Sequence, residues 1–253
     1  MKISLWLQIK LLQLSVHIAA VVGLVYLFDP IWLIATFVSW LVMYFYGGSI
    51  GVHRLWTHKA FETSSFVRYS TLAAATIAGL GSVIGWAGQH RMHHANSDVS
   101  IETDPYWAHD YTVWGTFKAW VMVPRSVHFR FSTVKDLAED KWVMFTHNYY
   151  LQIIVAWVTL LLLIDPKVAL YCWAIPSALG YSASQVTSVW GHRKGFHMHD
   201  TDDLSVDNHW RNIFSLGESY QNTHHKYPTQ IIMGKYDLSG YIIDKFLKKK
   251  DSF

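Results

Sequence analysis

The absence of charge from two long stretches near its start most constrains how this chain can fold. No lysine or arginine lies between Lys10 and Arg54, and Asp29 is the only acidic residue in that interval. The apolar runs 11–28 and 31–50 lie on either side of an Asp-Pro turn at Asp29. Each run approaches the ~20 residues that a helix needs to cross a bilayer. The sequence therefore predicts a membrane-spanning helical hairpin.

The same arrangement recurs in the second half of the chain. Residues 149–164 are apolar, Asp165-Pro166-Lys167 interrupts them, and residues 168–190 are apolar again. Charged residues make up only 15% of the sequence, against about 25% in soluble domains. These features predict an all-α integral membrane protein with four transmembrane helices in two hairpins. The net charge of +3 is too small to indicate a nucleic-acid partner.

The distribution of basic residues predicts the orientation. If both Asp-Pro turns face outward, every one of the 21 lysines and arginines except Lys167 lies on the opposite face. The positive-inside rule then places both termini in the cytoplasm, at a bacterial inner membrane or the endoplasmic reticulum. A further apolar stretch, 72–87, is predicted not to cross, because crossing would separate the histidine clusters beside it. Segments 51–148 and 191–253 would then form a cytosolic cap within one domain, 1–253.

Histidine is the second unusual feature, since the chain has 15 histidines and a single cysteine. Eight histidines lie in or near clusters that follow the apolar runs: His53 and His58; His90, His93 and His94; His192; His224 and His225. On an α-helix His90 can point with both His93 and His94, whereas those two diverge by ~100°. His53 and His58, five apart, are predicted not to share a helical face, so they would reach around a helix end or bind different metal ions. Imidazole binds zinc, copper, iron and nickel, and eight ligands fit two metal ions better than one.

These motifs resemble the membrane-bound fatty acid desaturases, in particular their stearoyl-CoA and bacterial acyl-lipid branch. The resemblance covers roughly residues 51–228 and rests on three segments: Gly51-Val-His-Arg-Leu-Trp-Thr-His58, His90-Arg-Met-His93-His94, and Gly217-Glu-Ser-Tyr-Gln-Asn-Thr-His224-His225-Lys-Tyr-Pro228. It implies that the cytosolic helical cap holds a di-iron centre. The metal ligands that it implies are His53, His58, His90, His93, His94, His192, His224 and His225.

Two positions depart from the pattern of that branch. Gln221 stands where the branch usually has the first histidine of the third box, and Ser188 where it has asparagine. A glutamine carbonyl is a harder and weaker donor than imidazole, and Gln221 is a candidate for a direct or water-mediated ligand. Ser188 is shorter than asparagine and is a candidate for a water-mediated ligand. Carboxylates that orient the ligand imidazoles are expected among Asp98, Glu102, Asp104 and Glu218. The histidines without cluster partners are expected at packed or interfacial positions: His17, His109, His128, His147, His197, His199 and His209.

Removing two hydrogens from an unactivated alkyl chain is beyond any side-chain acid or base, so a cofactor must supply the oxidising power. The resemblance implies two iron ions with O2 as co-substrate, a long-chain acyl substrate, and a separate electron donor such as a ferredoxin or b-type cytochrome. The predicted activity is the formation of a double bond in a saturated acyl chain, of the delta-nine type. Two alternatives are a hydroxylase on the same scaffold and a metal-transporting membrane protein. The transporter is disfavoured because the clusters lie outside the apolar runs.

Overall fold

The computed structural model describes residues 5–107, 112 and 129–249, and these residues are mostly helical, with no extended strand among them. The first two long helices are α1 (Leu5–Leu27) and α2 (Pro30–Thr57). Both are long and apolar enough to cross a membrane. The length and composition of this first hairpin therefore indicate a membrane protein.

The second helix changes its geometry along its length. It begins as a 3₁₀ turn (Pro30–Trp32), continues as an α-helix (Leu33–Trp40) and ends as a π-helix (Leu41–Thr57). The helix therefore continues beyond the apolar run 31–50 and carries His53 within its last turns. In a π-helix the hydrogen bonds run from residue i to i+5, and such segments occur mostly at functional sites.

Two shorter helices, α3 (Ser65–Ile77) and α4 (Val83–Asn96), follow α2. They divide the apolar stretch 72–87 between them, because the turn that joins them contains Gly79 and Gly81 at positive φ angles of 81° and 100°. Glycine adopts this backbone conformation without a steric penalty. The stretch therefore forms no single spanning helix.

The second hairpin is less regular than the first. The helices α5 (Lys141–Asn148) and α6 (Tyr150–Ile164) meet at an angle of 73° and are long enough to cross only when they are taken together. The segment 168–190 is helical throughout and ends in α7 (Ile175–Trp190). It is not among the described helices that are apolar enough to span. The reason is the polar side chains in its second half: Ser182, Ser184, Gln185, Thr187 and Ser188.

The two Asp-Pro turns lie at the same end of the molecule. The Lys167 ammonium lies 2.7 Å from Oδ2 of Asp29. The Tyr171 hydroxyl accepts a hydrogen bond from the Asp29 N–H at 2.6 Å. These contacts join the two turns, so α1 with α2 and α6 with α7 form hairpins whose tips are adjacent.

The remaining helices of the described residues are short, and we refer to them together as the cap: Phe131–Val134, Lys135–Ala138, α8 (His209–Ser215), α9 (Gln221–Lys226), α10 (Leu238–Ile242) and Ile243–Leu247. Arg54 connects the end of α2 to this cap. Its fully buried guanidinium donates to Oδ2 of Asp237 at 2.9 Å and to the Ile231 carbonyl at 2.8 Å. Burying a charge is tolerated when it is paired and hydrogen-bonded, so this network holds the end of α2 against the cap.

Candidate metal centre

Four histidines from distant parts of the chain converge below the cap. They are His53 at the end of α2, His58 just after it, His90 on α4 and His224 on α9, and their candidate ligand nitrogens all lie within 4.8 Å of one another. The closest measured pair is Nε2 of His53 and Nε2 of His224, which are 3.0 Å apart. We call these residues the four-histidine group.

His53 and His58 lie on the same side of the helix end, although α-helical spacing predicted different faces. That prediction is wrong because the segment is π-helical. The His58 N–H donates to the His53 carbonyl at 3.1 Å, a bond between residues five apart. This i→i+5 pattern places residues five apart above one another. The two ring centroids are 5.0 Å apart as a result.

Three further histidines form a second group. His93 on α4, His192 just after α7 and His225 on α9 place their candidate ligand nitrogens within 4.8 Å of one another. We call them the three-histidine group. His94 lies between the groups: its Nε2 is 2.9 Å from Nε2 of His224, and its ring centroid is 4.5 Å from that of His225. The angular divergence of His93 and His94 on α4 thus directs the two rings toward different groups.

Carboxylates hold several of these rings. Four imidazoles place Nδ1 against a carboxylate oxygen: His53 on Glu218 at 2.5 Å, His93 on Asp104 at 2.8 Å, His192 on Asp98 at 2.7 Å, and His225 on Asp203 at 2.5 Å. A carboxylate at Nδ1 keeps the proton on that nitrogen and leaves a lone pair on Nε2, which is how metal-binding histidines are commonly oriented.

One of these carboxylates, Asp203, was not predicted from the sequence. It lies 22 residues before its histidine partner, and its Oδ1 accepts a hydrogen bond from the Ser205 N–H at 3.0 Å. That local turn is common among loop aspartates, so the sequence carries no signal that separates Asp203 from an ordinary loop acid. In contrast, Glu102 is exposed in a turn, where its own N–H donates to Ser100 Oγ at 3.3 Å. Among the described contacts Glu102 has no imidazole partner.

Burial keeps four of the rings neutral. Loss of hydration, followed by the neighbouring imidazoles, holds the pKa of His58, His90, His94 and His224 well below its usual value. Burial alone would raise the pKa of Glu218, but the adjacent His53 and Arg54 lower it to about 2. The Glu218 carboxylate is therefore ionised.

The chemistry of these donors fits transition-metal ions. Nε2 of His58, His192 and His225 is buried and has no hydrogen-bond partner among the described atoms. Neutral imidazole nitrogens with free lone pairs, packed this closely, are stabilised by a cation between them. The arrangement can hold two ions, one in each group, with His94 available to either.

The other described histidines lie outside both groups. Each contacts residues of its own surroundings: His17 Nε2 is 3.1 Å from Ser182 Oγ, His147 Nδ1 is 2.7 Å from Ser82 Oγ, and His209 Nδ1 is 3.4 Å from the Tyr220 hydroxyl. His197 is exposed, and His199 packs edge-on against Tyr227 at 5.2 Å. His109 and His128 lie outside the described residues.

Comparison with known proteins identifies the family. A sequence model described as fatty acid desaturase matches residues 8–230. The chain belongs to the fatty acid desaturase family. The resemblance predicted from the histidine motifs is therefore confirmed, and the protein is an oxidoreductase that acts on acyl substrates.

Individual relatives cover most of this desaturase. The sn-2 palmitoyl-lipid 9-desaturase of Nostoc sp. (strain 36) is 31% identical over 218 residues, which are 82% of this chain and 73% of the relative. The sn-1 stearoyl-lipid 9-desaturase of Anabaena variabilis is 29% identical, covering 74% of this chain and 70% of the relative. The stearoyl-CoA desaturase of Sus scrofa is 26% identical, covering 94% and 70%.

The two positions that depart from the branch pattern, Gln221 and Ser188, are held by backbone carbonyls. The Gln221 amide donates to the Glu218 carbonyl at 2.6 Å. Its side chain packs against Gly191, where an added Cβ would lie 2.4 Å from the Gln221 Cγ. The Ser188 hydroxyl donates to the Ser184 carbonyl at 3.1 Å. Gln221 therefore lies next to the backbone that precedes His192, on the side of the three-histidine group.

A cavity of about 250 Å³ leads to the histidines from between α1, α2, α4 and α7. His53, His90 and His93 form part of its wall. Trp86 also lines it and stacks on His90 with a centroid distance of 4.6 Å, and Tyr106 lies 4.9 Å from the His93 ring. The cavity, whose wall combines aromatic, apolar and polar side chains, thus reaches both histidine groups.

Proposed function

We propose that this desaturase introduces a double bond into a saturated acyl chain at a di-iron centre. The observation that carries the proposal is the convergence of the two histidine groups on the wall of one cavity. The proposed ligands are His53, His58, His90, His93, His94, His192, His224 and His225, with Gln221 and Ser188 as candidate water-mediated ligands. Two bound irons, together with O2 and two electrons, supply the oxidising power that side chains lack.

The protein's own residues have three tasks in this reaction. Asp104, Asp98 and Asp203 hydrogen-bond to Nδ1 of three ligand imidazoles, and Glu218 lies beside Nδ1 of His53. The negative charge of these four carboxylates would offset the positive charge of the metal ions. Trp86 and Tyr106 shape the cavity next to the rings, so that one segment of the acyl chain lies against the centre. The faces of these two aromatic rings exclude water from the part of the acyl chain that they cover.

The proposed topology has four membrane spans, with both termini and the metal-binding cap in the cytoplasm. The adjacent tips of the two hairpins support it, since Asp29 and Lys167 form an ion pair at 2.7 Å on the side that carries few basic residues. Electrons come from a separate cytosolic donor, a ferredoxin or a b-type cytochrome. The delta-nine position of the new double bond rests on the relatives that are named 9-desaturases.

A hydroxylase on the same scaffold is the second candidate. It is favoured by Gln221 and Ser188, which replace the usual ligand types of this branch and line the cavity. Insertion of oxygen and removal of a second hydrogen need the same bound metals and the same substrate position. Analysis of the products therefore separates the two activities.

The test is expression in a host that lacks unsaturated fatty acids, with the fatty acids profiled by gas chromatography and mass spectrometry. The wild-type protein is expected to produce monounsaturated chains and to carry two irons per chain after purification. His93→Ala is expected to abolish the double bonds, whereas His197→Ala, at an exposed position, is the matched control. Normal unsaturation in His93→Ala would refute the ligand assignment, and a hydroxylated product would select the second candidate.

A further inference from the structure

A buried asparagine on α9 is joined to the loop that follows α7. Asn222 is fully buried, and its side-chain Oδ1 accepts hydrogen bonds from the Met198 N–H at 2.8 Å and the His199 N–H at 2.6 Å. Backbone N–H groups can only donate, so these two bonds fix which end of the amide is the oxygen. The amide nitrogen of Asn222 therefore points in the other direction, toward further residues of the loop 198–205.

The Asn222 amide donates to two hydroxyls of that loop. Its Nδ2 lies 3.0 Å from Thr201 Oγ1 and 3.3 Å from Ser205 Oγ. Thr201 Oγ1 in turn donates to Oδ1 of Asp203 at 3.1 Å, and Ser205 Oγ donates to the same oxygen. A hydroxyl has a single proton, and an amide N–H cannot accept, so both hydroxyl protons must point toward the carboxylate. The hydrogen bonds thus run in one direction, from the amide through the hydroxyls to Asp203.

The second oxygen of Asp203 holds a ring of the three-histidine group. Its Oδ2 lies 2.5 Å from Nδ1 of His225. Its Oδ1 accepts the two hydroxyl bonds and also the Ser205 N–H at 3.0 Å. The carboxylate cannot rotate away from His225 without breaking these bonds. The orientation of the ring therefore depends on donors that Asn222 directs.

The same loop supports a second ring of that group. The Leu204 N–H donates to Oδ2 of Asp98 at 2.8 Å, and this oxygen lies 2.7 Å from Nδ1 of His192. The loop 198–205 thus supports two of the three imidazoles. Among the described hydrogen bonds, none joins this loop to a side chain of the four-histidine group.

We propose that Asn222 is a positioning residue for the metal ion of the three-histidine group. It directs two hydroxyl protons to Asp203 and thereby fixes the ring of His225, as the outer partners of metal-binding histidines commonly do. This inference rests on the proposed function, because it concerns one of the two metal ions of that centre. The loop contacts predict that loss of the amide weakens one metal ion and leaves the other in place.

Asn222→Asp tests the direction of these bonds with little change in shape. The new carboxylate keeps an acceptor for the two backbone N–H groups but replaces the amide donors by a second acceptor. The hydroxyls of Thr201 and Ser205 then donate to residue 222 instead of Asp203. We expect the affinity for one iron(II) ion to fall by about tenfold and the affinity for the other to stay within about twofold of wild type.

A chelator competition measures both affinities. The purified, iron-loaded protein in detergent is equilibrated with increasing concentrations of a coloured iron(II) chelator, and the iron that remains per chain is determined. Thermal unfolding of the metal-free protein is recorded in parallel. A role of Asn222 that is only structural would lower the thermal stability and weaken both ions together, whereas the proposed role weakens one ion selectively.

Two further variants keep the test decisive. Asn208→Asp is the matched control, because Asn208 accepts the Arg211 N–H at 3.0 Å at the start of α8 and aspartate caps a helix equally well. It is expected to change neither iron affinity. Ser205→Ala removes one of the two hydroxyls without a change of charge. It is expected to weaken the same ion by about fivefold, the effect of one ordinary hydrogen bond, and it replaces Asn222→Asp if that variant does not fold.

The inference is overturned if Asn222→Asp and Ser205→Ala bind both ions as tightly as the wild-type protein, or if both ions are weakened equally. Iron binding needs no turnover, so its outcome is independent of catalysis. A protein whose iron affinity depends on Asn222 but that forms no double bond would refute the proposed function and leave the positioning role in place. Double bonds formed by an Asn222→Asp protein with wild-type iron affinity would have the opposite meaning.

Discussion

The two histidine groups differ in how their imidazoles are held. In the three-histidine group every ring has a carboxylate at Nδ1: Asp104, Asp98 and Asp203. In the four-histidine group the described contacts show a carboxylate only at His53, whose Nδ1 lies 2.5 Å from Glu218. Nδ1 of His90 and of His224 is buried without a hydrogen-bond partner among the described atoms, and the contact of His53 Nδ1 with Glu218 is not aligned as a hydrogen bond.

The two groups therefore differ in the number of imidazole ligands and in the number of carboxylates beside them. The three-histidine group has fewer nitrogens, but its three carboxylates orient the rings and increase the basicity of their Nε2 atoms. The four-histidine group has more nitrogens and depends on packing, such as the stacking of Trp86 on His90 at 4.6 Å. We therefore expect a metal ion in the three-histidine group to depend strongly on the carboxylates, and an ion in the other group to depend more on the rings themselves.

Removal of one ring from each group has the largest expected effect. His224→Ala and His225→Ala change neighbouring residues on α9 that belong to different groups. Each is expected to abolish activity and to reduce the bound metal from two ions to about one. Metal content is measured by inductively coupled plasma mass spectrometry, with His197→Ala as the control. Two ions retained in either variant would contradict the division into two groups.

The next largest effect is expected when the carboxylates are neutralised. These variants separate the orientation of the imidazole rings from the stability of the fold. Asp203→Asn is expected to weaken metal binding by about ten- to a hundredfold, without a large change in the thermal stability of the metal-free protein. Glu218→Gln is expected to weaken metal binding and also to destabilise the fold by about 1–3 kcal/mol. The reason is that Glu218 also lies 3.3 Å from the buried Arg54 guanidinium, which then keeps Asp237 as its remaining ion-pair partner.

Metal titration and thermal unfolding in detergent check both variants. Asp202→Asn, at an exposed position next to Asp203, is the matched control for loss of a loop charge. Equal metal affinity in Asp203→Asn and wild type would show that the carboxylate is not needed to orient His225.

Much of this centre could be predicted from the sequence, and the remainder depends on geometry that the sequence does not express. The spacing of His93 and His94 predicted their divergence because α4 is an ordinary α-helix. The same reasoning failed for His53 and His58, because a π-helical segment has a different period. Local spacing also could not identify Asp203, whose role depends on a tertiary contact with His225.

In the membrane spans, too, some features could be predicted from the sequence and others depend on tertiary contacts. Apolar length predicted α1 and the first part of α2, because burial in lipid depends mainly on composition. The continuation of α2 to Thr57 depends on tertiary contacts, above all those of the buried Arg54 with Asp237. Those partners are 183 residues apart, so no local pattern indicates them.

A smaller effect is expected when an imidazole is added to the three-histidine group, which has fewer imidazole ligands. Gln221→His places an imidazole next to Gly191 and His192 and is expected to retain both metal ions. It should strengthen binding in the three-histidine group, because imidazole is a better donor than an amide carbonyl. Metal titration of Gln221→His and of Gln221→Ala gives the comparison. An unchanged metal affinity in Gln221→His would show that this side chain points away from the group, and complete loss of metal would show that the added ring displaces its ligands.

The smallest expected effect concerns the support of the four-histidine group. Arg91, next to His90 on α4, donates to Oδ1 of Asp136 at 2.7 Å and through Nε to the Thr57 carbonyl at 3.0 Å. Burial would raise the pKa of Asp136, but Arg91 and Lys59 lower it to about 2. A carboxylate whose pKa is lower in the folded state stabilises the fold above its unfolded pKa, near 4, and loses that contribution as the pH falls toward 2.

Asp136→Asn is therefore expected to lower the free energy of unfolding by about 1 kcal/mol at pH 7, a value reduced by partial exposure. The difference from wild type is expected to become progressively smaller below pH 4. Thermal unfolding of both proteins between pH 7 and pH 3 measures this convergence, and a constant difference across that range would show that the ionised form of Asp136 does not support the end of α2.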